Sequence, residues 1–464
     1  MTIAFATLFL GLVVGTQPVE LVVGADVARV ELLLDGQVVG DRAGPPWEVP
    51  CDFGEELAPH ELVAVALDAE GKELGRARQW INLPRSEAEA TVVVEGAEDG
   101  KDAVARLSWE NLTGEEPLSV SVVFDGEELT AEDPRAIPLP AHDPEQLHFL
   151  RAEIGFSANL SAVTEVVFGG AYRGDAATEL TAVPVEVERH RRDLEPGALA
   201  EHLTVDGSPV TPVAVEEGPA EVVLVMDRRA QEGVRLIAER WRPPTLGAGT
   251  SAGGLERNMP GDVVRRNESD VASDAARMSH LQNALRLEEG QSVRFLWPYA
   301  RVRGDEGVRY ALFPRTGGHP PSQGGMLWFL SAVQQPEFSV RDQRLADAVA
   351  VAGMAAAGRG RRRAVVLVLS DRPADASLLS PPAVRRYLSH LGVPLHVWAV
   401  GSVPDEVAEA WGGVRPVPQE SALRRAVEEL SEGLERQRIV WIEGLHLPQA
   451  VALSEAARGV RRVR

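Results

Sequence analysis

Residue types at chemically useful spacings are few in this chain of 464 residues. Gly249-Thr250-Ser251-Ala252-Gly253 satisfies the G-x-S-x-G pattern that sets a nucleophilic serine on a sharp turn. That geometry needs a buried strand just before the turn and a helix just after it. Ser251 lies in a Pro- and Gly-rich stretch, so a serine hydrolase stands only as the alternative from another class. Gly247-Ala248-Gly249 followed by Ala252 imitates part of a dinucleotide fingerprint and lacks its strand for the same reason. His142 and His148, with Asp143 and Glu145, are metal-ligating types. Pro144 interrupts them and their spacing is not one helix face, so they read as a solvated loop. Cys51 is the sole cysteine, which excludes an intrachain disulfide and a Cys-ligated zinc or iron–sulfur centre. The sequons at Asn111, Asn159 and Asn267 match by composition alone. No catalytic residue and no cofactor is assigned from these patterns.

Charge narrows the partners. The chain holds 69 acids against 47 bases, and residues 1–190 carry 35 of those acids with only 12 of the bases. Nucleic-acid binding draws its affinity from Lys and Arg neutralising phosphates, so this half would repel a polyanion. Residues 2–15, TIAFATLFLGLVVG, form an uncharged apolar run of signal-peptide length, too short to span a bilayer at about 20 residues. A signal peptide over 1–16 would send the chain to the periplasm, envelope or medium. A buried first strand would leave it in the cytoplasm. No transmembrane span is expected elsewhere.

The elements that would position any site follow from patterning. Short β-type runs with an Asp35-Gly36 turn predict an immunoglobulin-like β-sandwich over 17–86. The same style, with Asp125-Gly126, predicts a second sandwich over 87–192, with 133–144 as a Pro-containing loop. Residues 193–218 read as a linker and lead-in strand. From 219 the pattern changes to continuous apolar runs, EVVLVM, AVVLVL and LHVWAV, separated by helical stretches, which predicts a parallel sheet. A doubly wound α/β domain over 219–445 results, with an insertion at 242–268 and a C-terminal tail at 446–464. Leu423, Val427, Leu430 and Leu434 mark the apolar stripe of a helix over 421–437. Trp297, Trp328, Trp398 and Trp441 are expected to pack in the core. Arg359 to Arg363 form a basic turn that could dock the acidic β-domains.

The succession GPAEVVLVMD, RRRAVVLVLSDRPADAS and GVPLHVWAVG resembles the von Willebrand factor A domain of VWFA-related bacterial proteins, in which β-rich domains precede it. Leu203–Asp227 resembles the lead into that domain's first strand. In the family a divalent cation sits at the carboxyl ends of the strands. A DxSxS sequence, a Thr from a GGT-like loop and a later Asp supply the hard oxygens that Mg²⁺ requires. Carried onto this chain, the first motif is Asp227-Arg228-Arg229-Ala230-Gln231, with Arg229 and Gln231 at both hydroxyl positions. Gly324-Gly325-Met326 puts Met326 where the Thr would be, and Asp371 is the later carboxylate. The resemblance therefore implies a degenerate metal site. Arginine repels a cation and its planar fork can bridge two carboxylates, so Arg228 or Arg229 is expected to neutralise Asp227 and Asp371. The alternative is a Mg²⁺ site on Asp227, Asp371 and water, helped by Ser370 or Asp375, serving cation-dependent adhesion. The expected fold is multidomain, β plus α/β: two Ig-like sandwiches followed by a Rossmann-type von Willebrand A-like domain. The expected role is a non-enzymatic interaction or envelope-associated scaffold protein with a protein partner, and Asp227, Arg228, Arg229 and Asp371 are its binding candidates.

Overall fold

The computed structural model describes residues 3–96, 103–112, 114–130, 132–157, 160–169, 180–188, 194–238, 292–302, 311–313, 326, 330, 342–454, 456–457 and 459–463. The chain divides into two units, Met1–Thr178 with Val302–Leu312, and Glu179–Arg301 with Phe313–Arg464.

The first unit contains two antiparallel sandwiches with one strand layout. In the first, β1 (Ile3–Phe5), β2 (Thr16–Val23) and β5 (Glu48–Asp52) form a three-stranded sheet. The facing sheet has the order β4 (Gln37–Arg42), β3 (Arg29–Leu34), β6 (His60–Leu67), β7 (Glu73–Ile81). Alternation drives the closure. Val19, Leu21 and Val23 of β2 and Val49 and Cys51 of β5 turn inward and share a core with Val30, Leu32, Leu62, Ala64 and Ile81.

The second sandwich repeats this plan. The order β12 (Ala136–Pro138), β9 (Val104–Asn111), β8 (Ala88–Glu95) faces β11 (Glu127–Leu129), β10 (Ser119–Phe124), β13 (His148–Ser157), β14 (Leu160–Phe168). Residues 136–138, expected as part of a loop, are a short strand. Pro138 does not forbid this, because β12 is a sheet edge and Ile137 and Leu139 are buried.

The apolar run at the N-terminus, which the sequence leaves open between a signal peptide and a buried first strand, is part of the first core. Ile3, Phe5, Leu8, Phe9, Leu10 and Val13 are buried with β2 and β6. Residues 6–15 are irregular, so their backbone needs partners other than a sheet ladder, and two buried amides supply them. Gln79 Oε1 accepts from Phe9 N at 2.5 Å, and Gln79 Nε2 donates to Thr7 O at 3.1 Å. Asn82 Oδ1 accepts from Val13 N at 2.7 Å while its Nδ2 donates to Val13 O at 2.8 Å and Ala58 O at 2.7 Å.

The second unit joins segments that the sequence pattern keeps apart. β15 (Leu180–Val187), expected in the second sandwich, lies in the order β18 (Ala214–Glu216), β26 (Gln437–Glu443), β15, β28 (Val460–Arg462). A smaller sheet has the order β17 (Ser208–Pro209), β16 (Leu203–Val205), β27 (Val451–Leu453). Val183, Val185, Leu203, Val440, Ile442, Val451 and Val460 form one core. The expected linker at 193–218 and tail at 446–464 are thus structural partners. Thr181 Oγ1 donates to Gly444 O at 2.7 Å across 263 residues of sequence.

The parallel sheet has the order β20 (Ser292–Phe295), β19 (Ala220–Met226), β23 (Arg362–Leu369), β24 (Leu395–Ala399), β25 (Arg415–Pro416). Between β20 and β23 lie the two-residue strands β21 (Arg301–Val302) and β22 (Ala311–Leu312). Every residue of β19 is buried, as sheets covered on both faces require. Val222, Leu224 and Met226, with Ala364, Val366 and Val368 beside them, pack against the helices Ala230–Ala238 and Glu420–Arg436. The helix Leu345–Ala356 also packs on β19 and β23. The helix Pro381–Leu391 starts on Ser380, whose side chain accepts from Ala383 N, and stops at Gly392 with φ 62°. Among the described residues no helix is long and apolar enough to cross a membrane.

Candidate functional site

In sheet order the five parallel strands run second, first, third, fourth, fifth. The connections change direction between β19 and β23, and ligands of such sheets bind outside the carboxyl ends at that point. Asp227 stands there, one residue past β19, with no exposed surface. Its N–H donates to Val368 O at 2.9 Å, which continues the ladder with β23, and its carbonyl accepts from Ala230 N at 2.9 Å to open the following helix.

A buried carboxylate is costly unless its lone pairs are filled. Oδ1 accepts from Gln343 Nε2 at 2.7 Å and from Arg229 N at 3.2 Å. Oδ2 accepts from Ser370 N at 3.1 Å and, more closely, from Ser370 Oγ. Gln343 turns its other end, Oε1, to Arg228 N at 3.1 Å. An amide, a hydroxyl and two backbone N–H groups therefore hold Asp227, and among the described residues no guanidinium does.

This corrects the expected arginine bridge. Arg229 is exposed and its guanidinium donates to Arg372 O at 3.0 Å rather than to the Asp227 carboxylate. Arg228 is also exposed, and its contact with the site is made by its backbone N–H to Gln343. The amide and hydroxyl reach the carboxylate inside the protein, where a long charged side chain would have to be buried to compete. Asp371 is exposed on a groove wall, packed so closely to Gly401 that a Cβ there would meet Asp371 Cβ at 3.0 Å. Met326 is fully buried in the core around Val222 and Val366 rather than at the site. Gln231 lies half-buried in the first turn of the helix Ala230–Ala238. Asp375 accepts from Leu345 N at 2.8 Å and Ala346 N at 3.2 Å, capping the helix Leu345–Ala356. Buried Asp347 returns the tie by accepting from Leu378 N at 3.1 Å and Leu379 N at 2.9 Å.

Two grooves open beside Asp227, and Arg229 lines both. One, of about 660 Å³, lies between Ser370–Arg372 and Val400–Pro404. The other, of about 560 Å³, is lined by Arg228, Tyr299, Asp342, Gln343 and 374–376. Arg228, Arg229 and Arg372 give the rim three permanent cations. Gln343 escaped the sequence reading because it belongs to no motif, and Arg372, although it follows Asp371 in the segment RRRAVVLVLSDRPADAS, was given no role there. Among the described residues no group of three or more His, Cys, Asp or Glu side chains is placed to hold a metal ion.

The remaining candidates fall elsewhere. Ser251, Trp328, Gly324, Gly325 and the insertion at 242–268 lie outside the described residues. His142 and His148 do meet, with ring centroids 4.8 Å apart, but both His148 nitrogens are occupied by Asp125 and by Asp143 O. Three of the arginines expected as a docking turn, Arg361, Arg362 and Arg363, are used internally, and the side chain of Arg359 lies outside the described residues. Arg361 pairs with buried Glu221, which also holds Arg294 at 2.6 Å and Ser292 Oγ at 2.8 Å. Arg362 donates to Gly218 O at 3.0 Å. Arg363 is buried against the carbonyls of Arg361 and Ala357, and burial pulls its guanidinium down to about 10.

No family model matches the chain, and no curated protein matches it. Solved structures similar to parts of it include fibronectin(III)-like modules of Clostridium thermocellum CbhA, with 19% identity over 17% of this chain and 92% of that one and a TM-score of 0.16. The central fibronectin-III array of RIM-binding protein shares 10% identity over 39% of this chain and 74% of that one, with a TM-score of 0.19. A β-glucuronidase of glycoside hydrolase family 2 shares 11% identity over 37% of this chain and 20% of that one, with a TM-score of 0.15. Likeness at this level says nothing of what the chain binds.

Proposed function

We propose that the chain is a non-enzymatic protein–protein interaction or scaffold protein, in which immunoglobulin-like β-sandwiches precede a degenerate von Willebrand A-like domain in the sequence. The observation that carries this reading is the state of Asp227. The carboxylate at the switch point is sealed by Gln343, Ser370 and Arg229 N, so it serves as a structural latch rather than a ligand. The surface left for recognition includes Arg228, Arg229 and Arg372 along two open grooves whose linings also hold Asp371, Asp342 and Asp375. Arginine forks bind carboxylates directly, and a partner's acidic side chain fits them without an intervening cation.

The test is affinity isolation with the full chain, with and without chelator, against a variant carrying Arg228→Glu, Arg229→Glu and Arg372→Glu. Retention of the same partner in chelator and its loss from the charge-reversed chain support the reading. A partner lost in chelator and regained with Mg²⁺ assigns the site to cation-dependent adhesion through exposed Asp371.

A further inference from the structure

Both sandwiches fasten the hairpin between their third and fourth strands with the same device. Asp35 and Asp125 each take a left-handed turn, at φ 51° and 50°, before a glycine. Their N–H groups donate to Glu61 O and Phe149 O, both at 2.9 Å. Their carboxylates accept from Glu61 N and Phe149 N, both at 2.8 Å. The second carboxylate oxygen faces Nδ1 of the histidine that opens the sixth strand, His60 at 2.7 Å and His148 at 2.6 Å.

The copies differ at the other ring nitrogen. His60 Nε2 is buried and meets no hydrogen-bond partner among the described residues. His148 Nε2 lies 2.8 Å from Asp143 O. An ionised carboxylate and a carbonyl oxygen only accept, so His148 needs a proton on both nitrogens, whereas the surroundings of His60 need only one. We propose that Asp125, His148 and the Asp143 carbonyl form a proton-operated clip that fastens the loop 139–147 to the second sandwich, closed by the imidazolium and released when it loses a proton.

The surroundings are consistent with this. Asp125 comes from the hairpin turn, and Asp143 and His142 come from the loop. The carboxylate of Asp143 is occupied by Glu145 N and Gln146 Nε2, both at 3.0 Å, and His142 Nδ1 lies 3.0 Å from Pro140 O. The other faces of His148 are the neutral rings of Phe124 and Phe168, at 5.4 and 5.7 Å. Burial, the largest single influence, opposes the charge on His148. The Asp125 and Asp143 contacts outweigh it and hold the proton above the ordinary imidazole value. A native value raised in this way makes the clip fully effective below the unfolded value of about 6.5 and lost as pH rises through the native one. Release lifts the loop residue His142 from Phe124 and Phe168, whose ring centroids its own meets at 5.7 and 5.5 Å.

The experiment is a ¹⁵N-histidine NMR titration of the full chain from pH 5.5 to 9, with His148 assigned by its absence from His148→Gln. Alongside it, hydrogen-exchange protection of 139–147 is followed in the unmodified chain and in His60→Gln. The expected result is an imidazolium at His148 below pH 6.5, a transition above it, and at least a tenfold loss of loop protection across that transition in both chains. A neutral His148 ring at pH 6, or loop protection that stays flat across the range, overturns the clip. The exchange arm needs no substitution at His148, so it decides the question even if that variant does not fold.

Discussion

Gln343 donates its amide to the buried carboxylate of Asp227 at 2.7 Å across 116 residues of sequence, and with its other end takes Arg228 N. One amide thus fixes both the carboxylate and the first turn after β19. Asp227→Ala would leave the Gln343 amide and the Ser370 hydroxyl buried without an acceptor, a loss of about 2–4 kcal/mol. Gln343→Ala should cost about 1–3 kcal/mol, because Asp227 keeps Ser370 and Arg229 N. Urea unfolding of the full chain checks both, and neither loss should change on adding Mg²⁺. An Asp227→Ala chain as stable as the parent would mean that the latch is not structural.

Gly360 stands at φ 58° before β23, and a Cβ there would lie 2.4 Å from Cη2 of the Trp441 ring. Gly360→Ala should therefore combine left-handed strain with displacement of an indole, roughly 2–4 kcal/mol. The two parts separate in a double-mutant cycle, since Trp441→Leu removes the clash and leaves the strain. Additive losses in the two single variants would show that the ring is not what requires the glycine.

How much of this was legible follows the range of the interactions. The stripe of Leu423, Val427, Leu430 and Leu434 marks its helix because the period is local and one face stays wet. The helix Leu345–Ala356 gave no such signal, because ten of its twelve residues are buried and an element covered all round has no polar face to set a period. β15 reads as a strand, but its partner cannot be read, since pairing Val183 with Val440 depends on contacts between distant segments. At the site, the acidic residue after an apolar strand is visible in sequence. Gln343 is not, for an amide that serves as a buried donor looks like any other glutamine.

Deleting residues 1–15 should unfold the first sandwich. Ile3, Phe5, Leu8, Phe9, Leu10 and Val13 leave its core together, and at about 1.5–3 kcal/mol for each fully buried side chain the loss exceeds what a small domain holds in reserve. Gln79 and Asn82 would also lose their backbone partners. Limited proteolysis should cut within 16–81 in the shortened chain and leave that region intact in the full one. Equal resistance in both would return the segment to the role of a removable leader.

The acid limb of stability should depend on both hairpin aspartates. Burial, the largest influence, pushes Asp35 and Asp125 up, but the hydrogen bonds from the paired histidine and the following N–H outweigh it, so both carboxyls sit below the usual range. Depressed values give stability that is present above the unfolded value of about 3.9 and is lost as pH falls through the native one. Asp35→Asn and Asp125→Asn should each lower the urea midpoint at pH 5 and flatten its decline between pH 4 and 2. A decline as steep as the parent's would remove these aspartates from the acid transition.

Cys51 offers a reporter for opening of the first sandwich. Its side chain faces the core from β5, and burial, reinforced by Asp52 and Asp35, pushes the thiol up to about 11. At pH 8 that leaves roughly one thiolate in a thousand, and the thiolate is the reacting form. Exclusion of reagent by the folded sandwich lowers the rate further, so modification by an aromatic disulfide must wait for opening. Labelling of the native chain should then be at least a thousandfold slower than in 8 M urea, and should accelerate with added urea in step with unfolding of residues 3–81. In the chain lacking residues 1–15 the protection should vanish, because the strands that cover β5 no longer have a core to close upon. Rapid stoichiometric labelling of the intact chain in native buffer would instead place Cys51 at an accessible edge and contradict the packing of β5 against β2.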